Sequence, residues 1–293
     1  MNTNNLQVTS LIIPCYKVSK HILEVLNNIG PEIDYIFVVD DNCPENTGNI
    51  VEKYCSDERV KVIVNKQNLG VGGSTLVGFK EAFKNKKNDI CVKIDGDNQM
   101  DPKNIQRFIS IFNGKKNIYV KGNRFHFHKE IKQMPVLRLF GNFFLSLLSK
   151  FTTGQYNCFD VTNGFISINR NIYDKLNLNR ISNNFFFETS LIAATRLIDC
   201  KVIDLKILTI YRDEKSTLLI SKIFINFIIN HFKILSYRIN LEYFKKKKYA
   251  MILIIINIFI SLFLSLLYVQ YLYLFLILII IFFINDIKVF NIK

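Results

Sequence analysis

Residues 249–284 are almost unbroken Ile, Leu, Phe and Tyr, and this apolar segment constrains the fold more than any other feature of the chain. It is too long for one helix across a hydrocarbon core of about 30 Å, and it suits two short spans. Gln270–Tyr273 is the natural break, because tyrosines favour the membrane interface. Basic residues flank both ends, at Lys245–Lys248 and at Lys288 and Lys293, which predicts a hairpin with both ends cytoplasmic. A single span is the alternative.

The formal net charge of +14 over 293 residues suggests nucleic acid, an anionic membrane surface or phosphorylated substrates as partners. The lysine run Lys245–Lys248 directly precedes the apolar segment, so we favour a membrane over nucleic acid. Six cysteines form no CxxC pair, which indicates reduced thiols. The polar residues 1–5 lack the features of a signal peptide. We therefore expect the soluble part to be cytoplasmic.

The first 215 residues or so read as a globular α/β sequence, long enough to bury one core. Apolar strands are predicted at 8–13, 35–39, 60–64 and 90–94, with helices at about 20–28 and from Gly70 to about 85. This alternation indicates a parallel sheet with flanking helices. Ligands of such sheets bind beyond the carboxyl ends of the strands, where Pro14, Asp41 and Asp97 are expected.

The predicted strand at 90–94 is followed by Asp95 and Asp97. Their spacing of two residues points both carboxylates to the same side of the strand's end. Close carboxylates repel each other unless a cation lies between them, and hard oxygen ligands favour Mg²⁺ or Mn²⁺. Acidic residues also commonly end a strand in solvent, so the pair alone is weak evidence.

Two other patterns are weaker evidence for a binding site. Glycines at 70–73 open a predicted helix, but a dinucleotide fingerprint that starts at Gly70 needs a glycine where Thr75 stands. They still suit a helix start beside a phosphate. His126 and His128 have no third ligand nearby and are more often surface residues.

Two helices with apolar stripes are predicted at 136–150 and 218–241. Each stripe is either plain core or a face that lies in a membrane interface. For the second helix we favour the interface, because it directly precedes the apolar segment.

Several short motifs of the globular part together resemble family 2 glycosyltransferases of the GT-A fold, with dolichol- and polyprenyl-phosphate sugar synthases most similar. They run in the family's order and cover nearly the whole globular part. The motifs are Ile12–Tyr16, Val38–Asn42, Asn68–Gly73, Asp95–Gln99, Gly122–Phe125, Asp160–Phe165, Phe185–Thr189 and Tyr211–Ser216. The chain departs from many relatives after Pro14-Cys15-Tyr16, where Lys17-Val18-Ser19 replace the usual acidic residue.

The resemblance implies a mixed, mostly parallel sheet with flanking helices, and it also implies roles for individual residues. Pro14, Tyr16, Asp40 and Asp41 would hold the base and ribose of a nucleotide sugar, with Gly70 in the same binding site. Asp95, Asp97 and Gln99 would face the diphosphate and a Mg²⁺ or Mn²⁺ ion. The acceptor phosphate or the diphosphate would be bound by Arg124, Arg138, Arg212, Lys215 and Ser216. Asp160 and Glu188 are candidates for a catalytic role or, alternatively, structural carboxylates.

The implied enzyme is a metal-dependent, inverting glycosyltransferase at the cytoplasmic face of a membrane, with a polyprenyl phosphate as acceptor and membrane lipids as partners. A lipid phosphate is anionic and needs positioning by arginines more than it needs a base. A hydroxyl of a lipid-linked glycan is the alternative acceptor and would need a carboxylate base. An inactive membrane scaffold is a further alternative. No nucleic-acid partner is expected, and a homo-oligomer is possible.

The domain organisation expected from these patterns has three parts. Residues 1–216 form the GT-A catalytic domain. Residues 217–248 form an amphipathic interface helix and a basic juxtamembrane segment, and 249–293 form the transmembrane hairpin and a short tail.

Overall fold

The computed structural model describes residues 7–113, 115, 117–125, 136–207, 220–245 and 248–291. They form two compact units, one within Met1–Ser146 and Asn157–Leu218, the other within Leu147–Tyr156 and Leu219–Lys293. The domain boundaries expected after residues 216 and 248 stay predictions.

A seven-stranded sheet organises the first unit. Its strands are β1 (Val8–Cys15), β2 (Tyr35–Asp40), β3 (Val60–Val64), β4 (Asn88–Lys93), β5 (Ile118–Asn123), β6 (Ile166–Asn169) and β7 (Lys201–Lys206). They lie in the order β3-β2-β1-β4-β6-β5-β7. Strand β6 runs antiparallel to both neighbours, and the other described pairs are parallel. The predicted mixed, mostly parallel sheet is confirmed.

Helices cover both faces of this sheet. Those of the first unit are α1 (Ile22–Asn27), α2 (Thr47–Tyr54), α3 (Gly70–Ala82), α4 (Ile105–Ser110), the start of α5 (Val136–Thr153), α6 (Arg170–Tyr173) and α7 (Phe187–Leu197). Neighbouring strand residues alternate between two apolar cores: Leu11 and Ile13 pack in one, and Ile12 packs in the other. Because both faces are buried, the strands read as nearly continuous apolar runs.

The acidic turn departs from the sequence-based expectation. Strand β4 ends at Lys93, and Asn98 has a left-handed φ of 61°. Residues 95–98 therefore form a turn, and strand alternation does not determine where Asp95 and Asp97 point. That part of the prediction was wrong, because it extended the strand through residues that do not pair.

The second unit contains the end of α5, α8 (Ile220–Arg238), a π-helical turn (Ile239–Phe244), α9 (Tyr249–Leu267) and α10 (Tyr271–Asn291). By length and composition, Tyr249–Leu267 and Tyr271–Lys288 could each cross a membrane. The helices separate at residues 268–270, beside the predicted break.

Helices α5 and α8 each leave apolar side chains exposed. On α5 these are Phe143, Phe144 and Leu147, and on α8 they are Ile225, Ile229 and Phe232. The latter three recur at helical spacing and form a single stripe. These exposures favour the interface interpretation over plain core for both helices.

A buried ion pair joins the two ends of the α9–α10 hairpin to α8. Arg238 Nη1 lies 2.6 Å from Asp286 Oδ2, and both side chains are almost wholly buried. The hydroxyls of Tyr156 and Tyr243 donate to the same carboxylate, and Arg238 Nη2 donates to the Phe151 carbonyl at 2.6 Å. Tyr243 shortly precedes α9 and Asp286 lies near the end of α10. The hydrogen bond between them therefore places the end of α10 beside the start of α9.

We expect Arg238→Met to destabilise the second unit by about 3–5 kcal/mol, because it leaves the Asp286 charge buried and unpaired. Thermal unfolding of the full chain in detergent measures the effect. The double variant Arg238→Met with Asp286→Leu should recover part of the loss, because it removes the buried Asp286 charge, while Glu242, 3.6 Å from Arg238 Nη1, still loses this cation. Asn285→Ala serves as the control, because Asn285 is a half-buried neighbour of Asp286 whose side chain donates to the Ile281 carbonyl and not to the ion pair. Additive losses in the double variant would contradict the pairing.

Candidate active site at the carboxyl edge of the sheet

The carboxylate of Asp40 at the end of β2 organises the loop that follows it. Its oxygens accept hydrogen bonds from the backbone N–H groups of Cys43 at 2.7 Å and Gly48 at 2.6 Å. Gly48 lies in the first turn of α2, where free N–H groups favour a carboxylate. Asp40 thus shapes the loop, and its contact with a substrate stays a prediction.

Asp41 joins three elements at the same edge. Its carboxylate accepts hydrogen bonds from Asn65 Nδ2 at 2.9 Å, Leu69 N at 2.7 Å and Gly70 N at 2.8 Å. Gly70 has a φ of 80°, and a Cβ there would meet the Asn183 carbonyl at 2.5 Å, so glycine is required. The amide that could bind a phosphate thus already donates to Asp41, and substrate contact by Asp41 and Gly70 stays a prediction.

Pro14 and Tyr16 lie at the end of β1, beside β2. Pro14 pairs with Val39 in the sheet and is buried, whereas 45% of Tyr16 is exposed. Lys17 has a left-handed φ of 58°, and its N–H donates to Cys43 Sγ at 3.0 Å. The Lys17 ammonium lies 5.5 Å from the centroid of the exposed Tyr16 ring, and contact of this ring with a base stays a prediction.

The acidic turn contains an ion pair that the sequence analysis missed. Lys93 Nζ lies 2.5 Å from Asp95 Oδ1 and 3.6 Å from Glu188 Oε1, and the Lys93 side chain is fully buried. The Gln99 N–H donates to Asp97 Oδ1 at 3.1 Å and closes the turn. Lys93 thereby links the turn to the first turn of α7, which carries Glu188.

A second buried lysine lies on the same face of the sheet. Lys93 on β4 and Lys121 on β5 both pair with Ile166, the first residue of β6, and side chains of paired residues share a face. The Lys121 ammonium donates to the carbonyl of Asn163. Both positions carry the same signal in the sequence, a single lysine inside an apolar strand, so the pattern could have revealed them.

Burial and charge shift the pKa values of this group in different directions. Burial alone would lower the pKa of Lys93, but the charges of Asp95 and Glu188 outweigh it and leave that pKa raised. Burial lowers the pKa of Lys121, where nearby carboxylates compensate only in part. Burial also raises the pKa of Glu188, although Lys93 and Lys121 oppose the shift.

Arg124 and Asp160 form a bidentate pair beyond the end of β5. Arg124 Nε lies 2.7 Å from Asp160 Oδ2 and Arg124 Nη2 lies 2.8 Å from Oδ1, while the Arg124 N–H donates to Oδ2 at 3.0 Å. Burial would raise the pKa of Asp160, but Arg124 outweighs it and lowers that pKa. With both oxygens held in this way, Asp160 is suited to orient Arg124 and poorly suited to accept a proton.

The segment from Asp160 to Gly164 brings the acidic turn and Arg124 to one site. It runs into β6, whose first residue lies between β4 and β5. A Cβ on Gly164 would lie 2.5 Å from Lys93 Nζ and even closer to Asp95, so only glycine fits beside the ion pair. The turn at Asp95 and the arginine at 124 therefore flank the same short segment.

Asp204 on β7 supports this segment and was also missed. Its Oδ2 accepts hydrogen bonds from Asn123 Nδ2 at 2.9 Å and from Phe159 N at 2.7 Å. Its Oδ1 is buried and has no hydrogen-bond partner among the described residues. Burial raises the pKa of Asp204 to about 6.

Several predicted site residues fall outside this description. Arg212, Lys215 and Ser216 lie outside the described residues, as do His126 and His128. Arg138 lies on α5, but its side chain is not among those described. Their predicted roles stay predictions.

The acidic turn fits a divalent metal ion. Asp95 and Asp97 supply hard oxygen donors, and Gln99 is next in the turn. Within the described residues, no group of three His, Cys, Asp or Glu side chains could hold a metal alone. Mg²⁺ commonly binds one or two carboxylates and completes its shell with substrate phosphates and water, so a site of two acids suits it. The metal itself stays a prediction.

Residues 10–177, more than half of the chain, match the family model described as glycosyl transferase family 2. The chain belongs to this family. A UDP-N-acetylglucosamine–dolichyl-phosphate N-acetylglucosaminyltransferase from Methanococcus voltae is 35% identical over 161 residues, 50% of this chain and 63% of that protein. A dolichol-phosphate mannosyltransferase from Pyrococcus furiosus is 26% identical over 191 residues, 61% of this chain and 51% of that protein. The match thus spans less than two thirds of either family 2 relative's length.

The solved structures agree on the fold. Residues 1–349 of TarS from S. aureus, crystallised with UDP-GlcNAc, superpose with a TM-score of 0.52 at 17% identity, covering 81% of this chain and 68% of that chain. At this identity the likeness concerns the fold alone. With the sheet order and the family match, it confirms the expected GT-A fold.

We expect Asp204→Asn to become more stable relative to the wild type as the pH rises. A carboxyl whose folded pKa is raised stabilises the fold fully below its unfolded pKa of about 3.9 and loses that contribution as the pH passes through about 6. The difference in unfolding free energy should therefore grow by about 2–3 kcal/mol from pH 4 to pH 7.5. Denaturant unfolding at several pH values measures it, with exposed Asp174→Asn as the surface-charge control. A pH-independent difference would contradict burial of this charge.

Proposed function

We propose that this protein transfers a sugar from a nucleotide-sugar donor to a dolichyl or other polyprenyl phosphate, with inversion at the anomeric carbon. The observation that carries the proposal is the pairing of β6 with both β4 and β5. It places the Asp95–Gln99 turn and the Arg124–Asp160 pair on either side of one short segment, at the edge where α/β sheets bind ligands. The family and two relatives named for dolichyl-phosphate sugar transfer support it.

The donor would lie against the acidic turn. Tyr16 is exposed for stacking on the base, and Asp97 with Asp95 would hold a Mg²⁺ or Mn²⁺ ion. Such an ion neutralises charge that develops on a leaving diphosphate. UDP-GlcNAc is the first donor to test, because the M. voltae relative is named for that sugar nucleotide.

The acceptor would approach from the Arg124 side. An oxygen of its phosphate forms the new bond to the anomeric carbon, while the bond from that carbon to the donor's diphosphate breaks and the nucleoside diphosphate leaves. The attacking oxygen is already anionic near neutral pH, so no proton has to be removed. Asp160 holds the guanidinium of Arg124 by two hydrogen bonds, which restricts its rotamers and orients it for a phosphate.

The second unit would anchor the enzyme at the cytoplasmic face of a membrane, where a polyprenyl phosphate resides. The two apolar helices support this proposal, as do the lysines that precede them and the exposed stripe on α8. The buried pair of Arg238 and Asp286 favours a hairpin, because it ties the end of α10 to the level at which α9 begins.

We expect Asp97→Asn to lower transfer activity by about a hundredfold or more, because the site loses a charge that would hold the metal. Thermal unfolding should be nearly unchanged, since Asp97 lies in a turn and not in the core. Asp101→Asn is the matched control in the same segment, as Asp101 only caps the 3₁₀ turn at Pro102–Asn104. EDTA should abolish wild-type activity and Mn²⁺ should restore it; full activity in EDTA would refute the metal.

The acceptor is tested by incubating the full chain with UDP-GlcNAc and dolichyl phosphate and weighing the lipid product by mass spectrometry. If the acceptor is a phosphate, Glu188→Gln should retain activity within about tenfold of the wild type, because no base is required. A loss of about a hundredfold or more with normal donor binding would favour a hydroxyl acceptor instead. Purified protein that neither transfers sugar nor hydrolyses any nucleotide sugar would indicate a scaffold.

A further inference from the structure

Lys93 is the most unusual side chain in the first unit. Lysine is almost never fully buried unless it is paired, and Lys93 is wholly buried at the end of β4, between the apolar residues Val92 and Ile94. Its ammonium lies 2.5 Å from Asp95 and 3.6 Å from Glu188. The carboxylates of Asp95 and Glu188 offset the cost of burying this charge.

The surrounding backbone is shaped around this ion pair. A side chain at Gly164 would collide with both Lys93 Nζ and Asp95 Oδ2. Among the described residues, Lys121 is a second fully buried lysine and flanks the same residue of β6, but its ammonium donates to a backbone carbonyl. Lys93 is therefore the buried lysine that is ion-paired with the acidic turn.

From this geometry we propose that Lys93 is a positioning residue for the donor, which holds Asp95 and cancels one negative charge of the acidic turn. This inference rests on the proposed function. A diphosphate is anionic and is repelled by Asp95 and Asp97 together. Lys93 adds one positive charge beside the turn, so with the same divalent ion bound the group is one charge more positive than it would be without Lys93.

This role predicts opposite effects on two ligands. In Lys93→Met, Mn²⁺ alone should bind as well as in the wild type or up to about tenfold more tightly, because a nearby cation is gone. UDP-GlcNAc, measured at saturating Mn²⁺, should bind about tenfold to a hundredfold more weakly. A merely structural lysine would weaken both ligands together.

The experiment uses the full chain in detergent. Electron paramagnetic resonance reports free Mn²⁺, and calorimetry measures UDP-GlcNAc binding. Lys121→Met is the matched control, since it removes an equally buried lysine whose ammonium donates to a backbone carbonyl rather than to the turn. It should lower the unfolding temperature without opposing shifts in the two affinities. Equal weakening of both ligands in Lys93→Met, or unchanged UDP-GlcNAc binding, would overturn the proposal.

A second variant covers the case in which Lys93→Met does not fold. Lys93→Met with Glu188→Gln removes the buried charge that the first change leaves unpaired, and it should unfold at a higher temperature than Lys93→Met alone. The loss of donor affinity should persist in it, because Asp95 is still uncompensated. Restored UDP-GlcNAc affinity would refute the role assigned to Lys93.

The two proposals fail in different ways. Wild-type protein that binds Mn²⁺ but no nucleotide sugar would refute the proposed function. The Mn²⁺ measurement needs no nucleotide, so the Mn²⁺ affinity of Lys93→Met relative to the wild type would still test the role of Lys93. Wild-type protein that binds UDP-GlcNAc but does not transfer its sugar would refute the function alone. Protein that binds neither ligand would overturn both.

Discussion

Strand β6 enters the sheet between two buried ammonium groups, and the candidate site depends on this arrangement. Its first residue, Ile166, pairs with Lys93 on one side and Lys121 on the other. Neither lysine reaches water, so each must find an oxygen partner at the edge of the sheet. Lys93 forms ion pairs with the carboxylates of Asp95 and Glu188, and Lys121 donates a hydrogen bond to the Asn163 carbonyl. The acidic turn, the segment before β6 and the start of α7 are thereby held together.

Around the rest of the edge, carboxylates hold loop segments in place by accepting hydrogen bonds from backbone amides. Asp40 and Asp41 accept hydrogen bonds from amides of the loops that follow β2 and β3, and Asp204 accepts one from Phe159. Asp160 binds Arg124 through both oxygens. Acidic residues that resemble binding groups in the sequence thus also organise the loops, and the exposed Tyr16 ring and the partly exposed acidic turn are left to meet a ligand.

In the second unit, a buried ion pair closes the helical hairpin. Arg238 and Asp286 are separated by the whole apolar hairpin in the sequence, yet they form a short ion pair that two tyrosine hydroxyls complete. Glu242 Oε2 also lies 3.6 Å from Arg238 Nη1, so removal of Arg238 takes the cation away from two buried carboxylates. The pair therefore specifies how the hairpin closes, whereas the aliphatic residues of α9 and α10 specify only that the helices are apolar.

The sequence by itself determined the alternating elements, the two apolar helices and the position of the acidic turn, because periodicity and turn residues are local signals. The mixed sheet followed only from the family resemblance. Through the family motifs, the sequence also predicted that Asp95, Asp97, Arg124 and Asp160 belong to one site. Only the tertiary structure decided which groups touch. The ion pair of Lys93 with Glu188 joins residues 95 positions apart, and that of Arg238 with Asp286 joins residues 48 apart. Such contacts depend on strand order and helix packing, which no local pattern of residues encodes.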